Sequence, residues 1–155
     1  PDMQQYSADD LYNITHQITP HWCRVESDVV TYNMHIILRY ECEKALIDGS
    51  LAVADLPRVW NQKIRDYLGI EIESDAKGCL QDVHWSAGLF GYFPTYTLGT
   101  LMAEQLYKRL QQEFSDLDNM IKDAQFLPIK SWLNESIHQH GCRFTIEKLT
   151  TLLFN

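Results

Sequence analysis

The chain has 155 residues, of which 45% are hydrophobic and 22% are charged, and these proportions are typical of a globular domain with its own core. The formal net charge of −8 disfavours a nucleic-acid partner, because an acidic surface repels phosphate groups. The sequence contains no run of 18 or more apolar residues, so we expect no membrane-spanning helix.

The first residues and the cysteines together indicate a cytoplasmic protein. Residues 1–5 show neither the basic nor the apolar region of a signal peptide. The cysteines are widely spaced and form no Cys-x-x-Cys motif, which argues against a structural zinc site. We therefore expect free, buried thiols in a reducing compartment at Cys23, Cys42, Cys79 and Cys142.

Capping residues and apolar spacing predict helices along most of the chain. Ser7 followed by two acids starts the first helix, and Thr19-Pro20 ends it. Ser27-Asp28 starts a long second helix, which Gly49 ends. The predicted helices span, in chain order, about 7–18, 29–48, 55–68, 95–114, 116–124, 128–141 and from 145 onward.

One short segment departs from this helical pattern. Residues 21–26 are rich in aromatic and β-branched side chains and alternate in polarity, which predicts a short strand. The expected fold is therefore mainly α, a helical array with one or two short strands.

The stretch 70–94 is the least regular part of the sequence. Its glycines and Pro94 interrupt any long periodic element, yet it is rich in polar and aromatic side chains. Loops of this composition often carry function. The candidate site therefore consists of residues from this stretch and its end, together with two earlier residues: Gln81, Asp82, His84, Trp85, Tyr92 and Tyr96, with Arg24 and Asp28.

Each candidate also has a simpler explanation. Arg24 could belong to a surface ion pair, and Asp28 is a good helix cap in its own right. His84 could be an ordinary buried histidine, and Tyr92 and Tyr96 could be core aromatics with bonded hydroxyls. None of the six histidines forms His-Glu-x-x-His. The residues alone therefore predict a helical domain with one polar and aromatic loop.

Two motifs resemble those of a known enzyme family. Gly78–Trp85 (GCLQDVHW) matches Gly-x-x-Gln-Asp-x-His-Trp, and Cys23–Asp28 (CRVESD) is similar to Ile/Val-Arg-x-x-Ala-Asp. Both are signatures of the carboxypeptidase Taq family of zinc metallocarboxypeptidases, and the resemblance extends over about residues 8–150. The chain departs from the second motif at its Cys and Ser positions, and Val29 stands where the family usually has an acid.

The resemblance implies a neurolysin-like metallopeptidase scaffold and the removal of single amino acids from peptide C-termini. Family members are longer, and their zinc ligands precede the matching region. The chain is thus expected to be a single C-terminal region over 1–155, inactive alone and without metal. Its parent would hold zinc or another divalent metal, act on peptides with a free C-terminus and form a homodimer, with no nucleic-acid or membrane partner. The alternative is a non-catalytic helical binding module derived from the family.

The resemblance also suggests a role for each candidate residue. Arg24 would bind the substrate's α-carboxylate, because its planar fork matches both carboxylate oxygens. Asp82 would hold His84 in one orientation. The catalytic candidates are His84, Tyr92 and Tyr96, and either His84 or one of the two tyrosines could donate to the tetrahedral intermediate. The substrate-binding candidates are Arg24, Asp28, Gln81, Asp82 and Trp85, and no residue is a candidate for metal binding.

Overall fold

The structure is a computed structural model that describes residues 5–154. Over this range the regular structure is helical and contains no strand, which confirms the mainly α prediction. The α-helices are α1 (Ala8–Thr15), α2 (Tyr32–Ile47), α3 (Leu56–Leu68), α4 (Pro94–Glu113), α5 (Leu117–Lys122), α6 (Phe126–Ser136) and α7 (Ile146–Phe154). Single 3-10 turns lie at Arg24–Glu26, Val53–Asp55 and His138–His140.

The predicted strand over residues 21–26 is wrong. Its second half forms the 3-10 turn Arg24–Glu26, and the N–H of Ser27 donates to the Arg24 carbonyl at 3.2 Å. The Arg24 N–H donates to the side chain of Gln81 at 3.0 Å instead of to a neighbouring strand. Six alternating residues fit a strand only when a partner strand is available, and the residues described here supply none.

Two compact units divide the chain, the first ending at Thr97 and the second beginning at Leu98. The first is built on α2 and α3. Helix α3 buries one apolar residue per turn, and Gly69 ends it in the left-handed conformation that glycine adopts easily (φ 69°). The core of this unit contains Leu38, Cys42, Leu56, Trp60, Ile64, Leu68 and Cys79.

Helix α2 buries charged as well as apolar side chains. His35, Arg39 and Glu43 are all buried, and their spacing of four residues places them on one face of the helix. Burying such groups is unfavourable unless they are hydrogen-bonded or paired. The polar face of α2 therefore offers hydrogen-bond and ion-pair partners to the irregular loop.

The second unit buries fewer large side chains. Leu110, Leu117 and Leu153 are its buried apolar residues among those described, whereas Phe126 and Leu127 are more than half exposed. No helix among the described residues has both the length and the apolar character needed to cross a membrane. Whether residues 1–155 act as one region remains a prediction.

All four cysteines are free. Cys42 and Cys79 are buried as expected, but Cys23 is only partly buried and Cys142 is exposed. The expectation of four buried thiols is therefore right for the two that face the α2–α3 core.

Candidate active site

Asp82 lies between two arginines at the centre of the site. Its Oδ1 accepts hydrogen bonds from Arg24 Nε (3.0 Å) and Nη2 (2.8 Å), and its Oδ2 accepts one from Arg39 Nε (2.6 Å). Burial works against the charged carboxylate, but the two guanidinium groups outweigh it and hold the pKa of Asp82 below its usual value. Asp82 is thus an anion at neutral pH, bound by two cations.

Arg24 is held by partners on several sides. Its Nη1 donates to the Tyr32 hydroxyl at 3.2 Å, and its guanidinium carbon lies 5.1 Å from the centre of the Tyr96 ring. Burial alone would lower the pKa of Arg24, but the interactions with Asp82 and Tyr32 outweigh burial, so the pKa is raised above its usual value. The side chain keeps its charge and remains 10% exposed, so it is not completely shielded from a ligand.

Arg39 is fully buried, and sequence reasoning missed it. Its guanidinium lies 4.7 Å from the Trp60 ring and 5.6 Å from the Phe93 ring, and its Nη1 donates to the His35 carbonyl at 2.9 Å. Together Arg24, Arg39 and Asp82 carry two positive charges and one negative charge. The sum over these three side chains is one positive charge, and the buried Glu43 lies one turn further along α2.

His35 adds no charge to this cluster. Its Nδ1 faces Arg39 Nη1 at 3.3 Å, and its Nε2 lies 3.0 Å from the His21 carbonyl oxygen. These contacts assign the neutral tautomer, in which Nε2–H donates and Nδ1 accepts. Burial and the neighbouring Arg39 lower the pKa of His35 to about 4.

His84 is paired with Tyr96. Its Nε2 lies 2.9 Å from the Tyr96 hydroxyl, and its ring packs 4.3 Å from Phe93 and 5.7 Å from Tyr92, centre to centre. Burial lowers the pKa of His84, so the imidazole is neutral at neutral pH. A neutral imidazole bonded to a phenol hydroxyl can stabilise negative charge or relay a proton.

The predicted hydrogen bond between Asp82 and His84 is not formed. Asp82 Oδ1 lies 3.8 Å from His84 Nδ1, which is beyond hydrogen-bond distance. The carboxylate oxygen nearer to His84, Oδ1, instead accepts two hydrogen bonds from Arg24. His84 Nδ1 is buried and has no hydrogen-bond partner among the residues that the structure describes.

Gln81 and Trp85 connect the loop to its surroundings. The Gln81 amide nitrogen donates to the carbonyls of Trp22 (3.1 Å), Lys77 (2.9 Å) and Gly78 (3.2 Å). Trp85 Nε1 donates to Glu43 Oε2 at 2.8 Å. In this structure both side chains bind other parts of the protein and thereby fix the loop.

Asp28 lies apart from this cluster in its interactions. Its Oδ1 accepts from the N–H groups of Val30 and Thr31, both at 2.9 Å, and its Oδ2 accepts from the Thr31 hydroxyl at 2.7 Å. These bonds form a turn, which explains why α2 begins at Tyr32 instead of Val29. These three bonds are made within three residues of Asp28, so they stabilise the turn that leads into α2.

The structure thus joins seven of the eight candidates in one set of contacts. Sequence reasoning missed the buried partners on α2. A possible signal was the spacing of four residues between His35, Arg39 and Glu43 within an otherwise helical pattern, but that spacing does not say what the side chains bind. The missed residues are Tyr32, His35, Arg39 and Glu43.

Residues 5–154 contain no group of three His, Cys, Asp or Glu side chains placed to hold a metal ion. The described side chains therefore do not by themselves form a site for a catalytic metal.

The profile of the carboxypeptidase Taq (M32) metallopeptidase family matches residues 1–153. The chain belongs to this family. It is 47% identical over 137 residues to carboxypeptidase 1 of Bacillus subtilis, covering 88% of the chain and 27% of that relative. It is 40% identical over 149 residues to thermostable carboxypeptidase 1 of Pyrococcus furiosus, covering 96% and 30%. A solved structure of the Pyrococcus furiosus carboxypeptidase superposes with a TM-score of 0.93 at 39% identity, over 99% of this chain and 31% of the other.

The chain thus spans less than a third of the length of these M32 relatives. The likeness extends over nearly all of its own residues, so its helical arrangement is that of the corresponding part of an M32 carboxypeptidase.

Proposed function

We propose that this chain forms the substrate-binding portion of a zinc metallocarboxypeptidase, which removes single amino acids from peptide C-termini. The observation that supports this proposal is that two arginines, Arg24 and Arg39, share the single carboxylate of Asp82, with the His84–Tyr96 pair beside them. A carboxypeptidase must bind a free α-carboxylate next to the scissile bond, and this cluster pairs an anion-binding group with a group suited to a developing oxyanion.

Arg24 is the group suited to the carboxylate. A guanidinium carries five N–H donors, and Arg24 uses one on Nε, one on Nη1 and one on Nη2 for Asp82 and Tyr32. Two N–H groups remain for a ligand, one on each terminal nitrogen. Because Asp82 fixes the plane of the guanidinium, the ligand would meet a fork that is already oriented, which reduces the entropy lost on binding.

The His84–Tyr96 pair is the group suited to the reacting carbonyl. The lowered pKa of His84 keeps the imidazole neutral near pH 7, so the pair can donate a hydrogen bond to the oxygen that becomes negative. Tyr92 packs against both, with its ring centre 5.4 Å from that of Tyr96. In this proposal Tyr92 completes the aromatic wall of the site.

The metal belongs to the part of the polypeptide outside these residues. Family membership supports zinc or another divalent ion, which would polarise the carbonyl and activate water when bound. The same proposal includes a cytoplasmic location and a homodimer of the complete polypeptide. Peptides with a free C-terminus are its proposed partners, and neither nucleic acid nor a membrane is among them.

The test is a product assay with the complete polypeptide and, separately, with the 155-residue chain. Both are incubated with one peptide in its free-acid and amidated forms, and mass spectrometry follows the products. The proposal predicts loss of single residues from the free acid by the complete polypeptide and no hydrolysis by the chain alone. Binding of the free acid without hydrolysis by the complete polypeptide would favour the alternative, a non-catalytic binding module. Internal cleavage would refute both.

A further inference from the structure

Glu43 is a buried carboxylate without a cationic partner. It is 6% exposed, and no Lys, Arg or His among the described residues forms an ion pair with it. Both of its hydrogen-bond donors are neutral N–H groups, Trp85 Nε1 at 2.8 Å and the backbone N–H of Gly91. An apolar side chain at this position on α2 would avoid the free-energy cost of desolvating a carboxylate. The role of Glu43 is therefore to hold its two donors in place.

The two donors lie at the two ends of one loop. Trp85 directly follows His84, and Gly91 directly precedes Tyr92, so the residues bonded to Glu43 are the chain neighbours of two candidate catalytic side chains. Gly91 adopts φ 77°, a conformation that glycine takes at little cost. One carboxylate on a rigid helix thus binds both ends of the loop.

Between these ends the loop depends mainly on its own turns. The N–H groups of Ala87, Gly88 and Leu89 donate to the carbonyls of residues 83–85 at 2.8–3.0 Å. The tip residues Leu89 and Phe90 are about half exposed. The loop has internal hydrogen bonds but an exposed tip, so its orientation on α2 depends on contacts at its base.

We propose that Glu43 is a positioning residue that clamps the 85–91 loop onto α2 and thereby holds His84 and Tyr92 against Tyr96. Its effect on turnover rests on the proposed function, whereas its effect on the loop does not. The two oxygens of one carboxylate set the separation of the loop ends, and no neutral side chain of similar size offers two acceptors there. Glutamine retains one acceptor oxygen and brings an N–H₂ group against the other donor.

The first test measures amide and indole hydrogen exchange in the 155-residue chain by NMR. In Glu43→Gln, exchange at the Gly91 N–H or the Trp85 indole N–H should accelerate at least about tenfold, while the core amide of Ile64 is unchanged. Equal acceleration at Ile64 would mean general destabilisation and would overturn the clamp. If Glu43→Gln fails to fold, Trp85→Phe removes one donor and keeps most of the ring packing. It should loosen the 85–91 loop without changing exchange at Ile64, and unchanged exchange in the loop would also overturn the clamp.

Glu41→Gln is the matched control. Glu41 lies on the same helix and also accepts two side-chain hydrogen bonds, from Lys63 (2.6 Å) and Tyr67 (2.7 Å). Both of these donors belong to α3 and not to the 85–91 loop. Its replacement should leave exchange at Gly91 and the Trp85 indole as in the wild type. Acceleration there in both variants would show that any lost carboxylate on α2 loosens the loop, which would contradict a specific clamp.

The second test measures kinetics in the complete polypeptide. Glu43→Gln should lower kcat about tenfold or more with little change in KM, because the Arg24 carboxylate site remains intact, and Glu41→Gln should leave both constants unchanged. If the wild type releases no amino acid, the proposed function fails while the exchange data still decide on the clamp. If the wild type is active and Glu43→Gln keeps the wild-type kcat, the positioning role of Glu43 is wrong.

Discussion

Replacing Asp82 by Asn removes the one negative charge that two buried cations share. The substitution keeps the size of the side chain and one acceptor oxygen but turns the other oxygen into an N–H₂ donor. Asp82 accepts three hydrogen bonds from Arg24 and Arg39, and Asn cannot reproduce the arrangement. At least one guanidinium is then left facing a donor.

The expected cost follows from burial. Arg39 has no exposed side-chain surface, and Arg24 and Asp82 are each about nine-tenths buried. Removing one partner of a buried ion pair costs about 3–5 kcal/mol, because the remaining charge stays desolvated. We therefore expect Asp82→Asn to lower the free energy of unfolding by about 3–5 kcal/mol.

The assay is equilibrium unfolding in urea at pH 7, with Glu71→Gln as control. Glu71 also binds an arginine by two hydrogen bonds, to Arg65 Nε (2.6 Å) and Nη2 (2.8 Å), but that pair is exposed. Its loss should cost about 0–1 kcal/mol. Equal costs for the two substitutions would refute the claim that burial makes the Asp82 cluster special.

The pH dependence of Asp82 has a definite sign. Its pKa is lowered in the folded protein. Its contribution to the free energy of unfolding is therefore complete above the unfolded carboxyl pKa of about 3.9, and it is lost as pH falls through the lower folded pKa. The acid limb of the stability curve should therefore be flatter in Asp82→Asn than in the wild type.

Two further predictions concern buried groups near the site. The pKa of His35 is about 4 in the folded protein, against 6.5 ordinarily. As pH falls, the unfolded chain therefore takes up this proton at a higher pH than the folded protein does. The free energy of unfolding of the wild type should consequently fall by about 3 kcal/mol between pH 6.5 and pH 4. Urea unfolding of His35→Gln should show a clearly smaller fall over that range, and an unchanged slope would contradict the assignment. Burial raises the pKa of the Cys42 thiol to about 11, so iodoacetamide at pH 8 should label the exposed Cys142 and spare Cys42 until denaturant is added. Equal labelling rates in the folded protein, measured by mass spectrometry, would contradict the burial of Cys42.

The parts of the fold that depend on local sequence were predictable. Helix α3 shows one apolar residue per turn, a proline in its first turn and Gly69 after its last residue, and it lies where these signals place it. The irregular loop was also visible, because its glycines and Pro94 exclude a long helix over that stretch. In both cases the determining interactions lie within a few residues.

The parts that depend on distant partners were not predictable from local patterns. Arg24 was expected on a strand beside surface acids, but its partner is Asp82, 58 residues away. Arg39 and Glu43 read as ordinary polar residues of a helix, because only the folded loop shows that they face it. The family motif identified Arg24, Asp82 and His84 as a set, but it did not show that Asp82 holds the arginines and leaves His84 to Tyr96.

The central claim is that Arg24 binds the terminal carboxylate of a peptide. Its most direct test is the kcat/KM of the complete polypeptide on one peptide in free-acid and amidated forms, for the wild type, Arg24→Lys and Arg24→Ala, with the exposed Arg65→Lys as control. Loss of a charge-assisted bidentate contact should cost about 2–5 kcal/mol, roughly 30-fold or more, on the free acid. The amidated peptide should be a poor substrate for the wild type and little worse for either Arg24 variant, and Arg65→Lys should match the wild type on both. Equal losses on the free and amidated peptides would show that Arg24 only maintains the structure and would contradict the account.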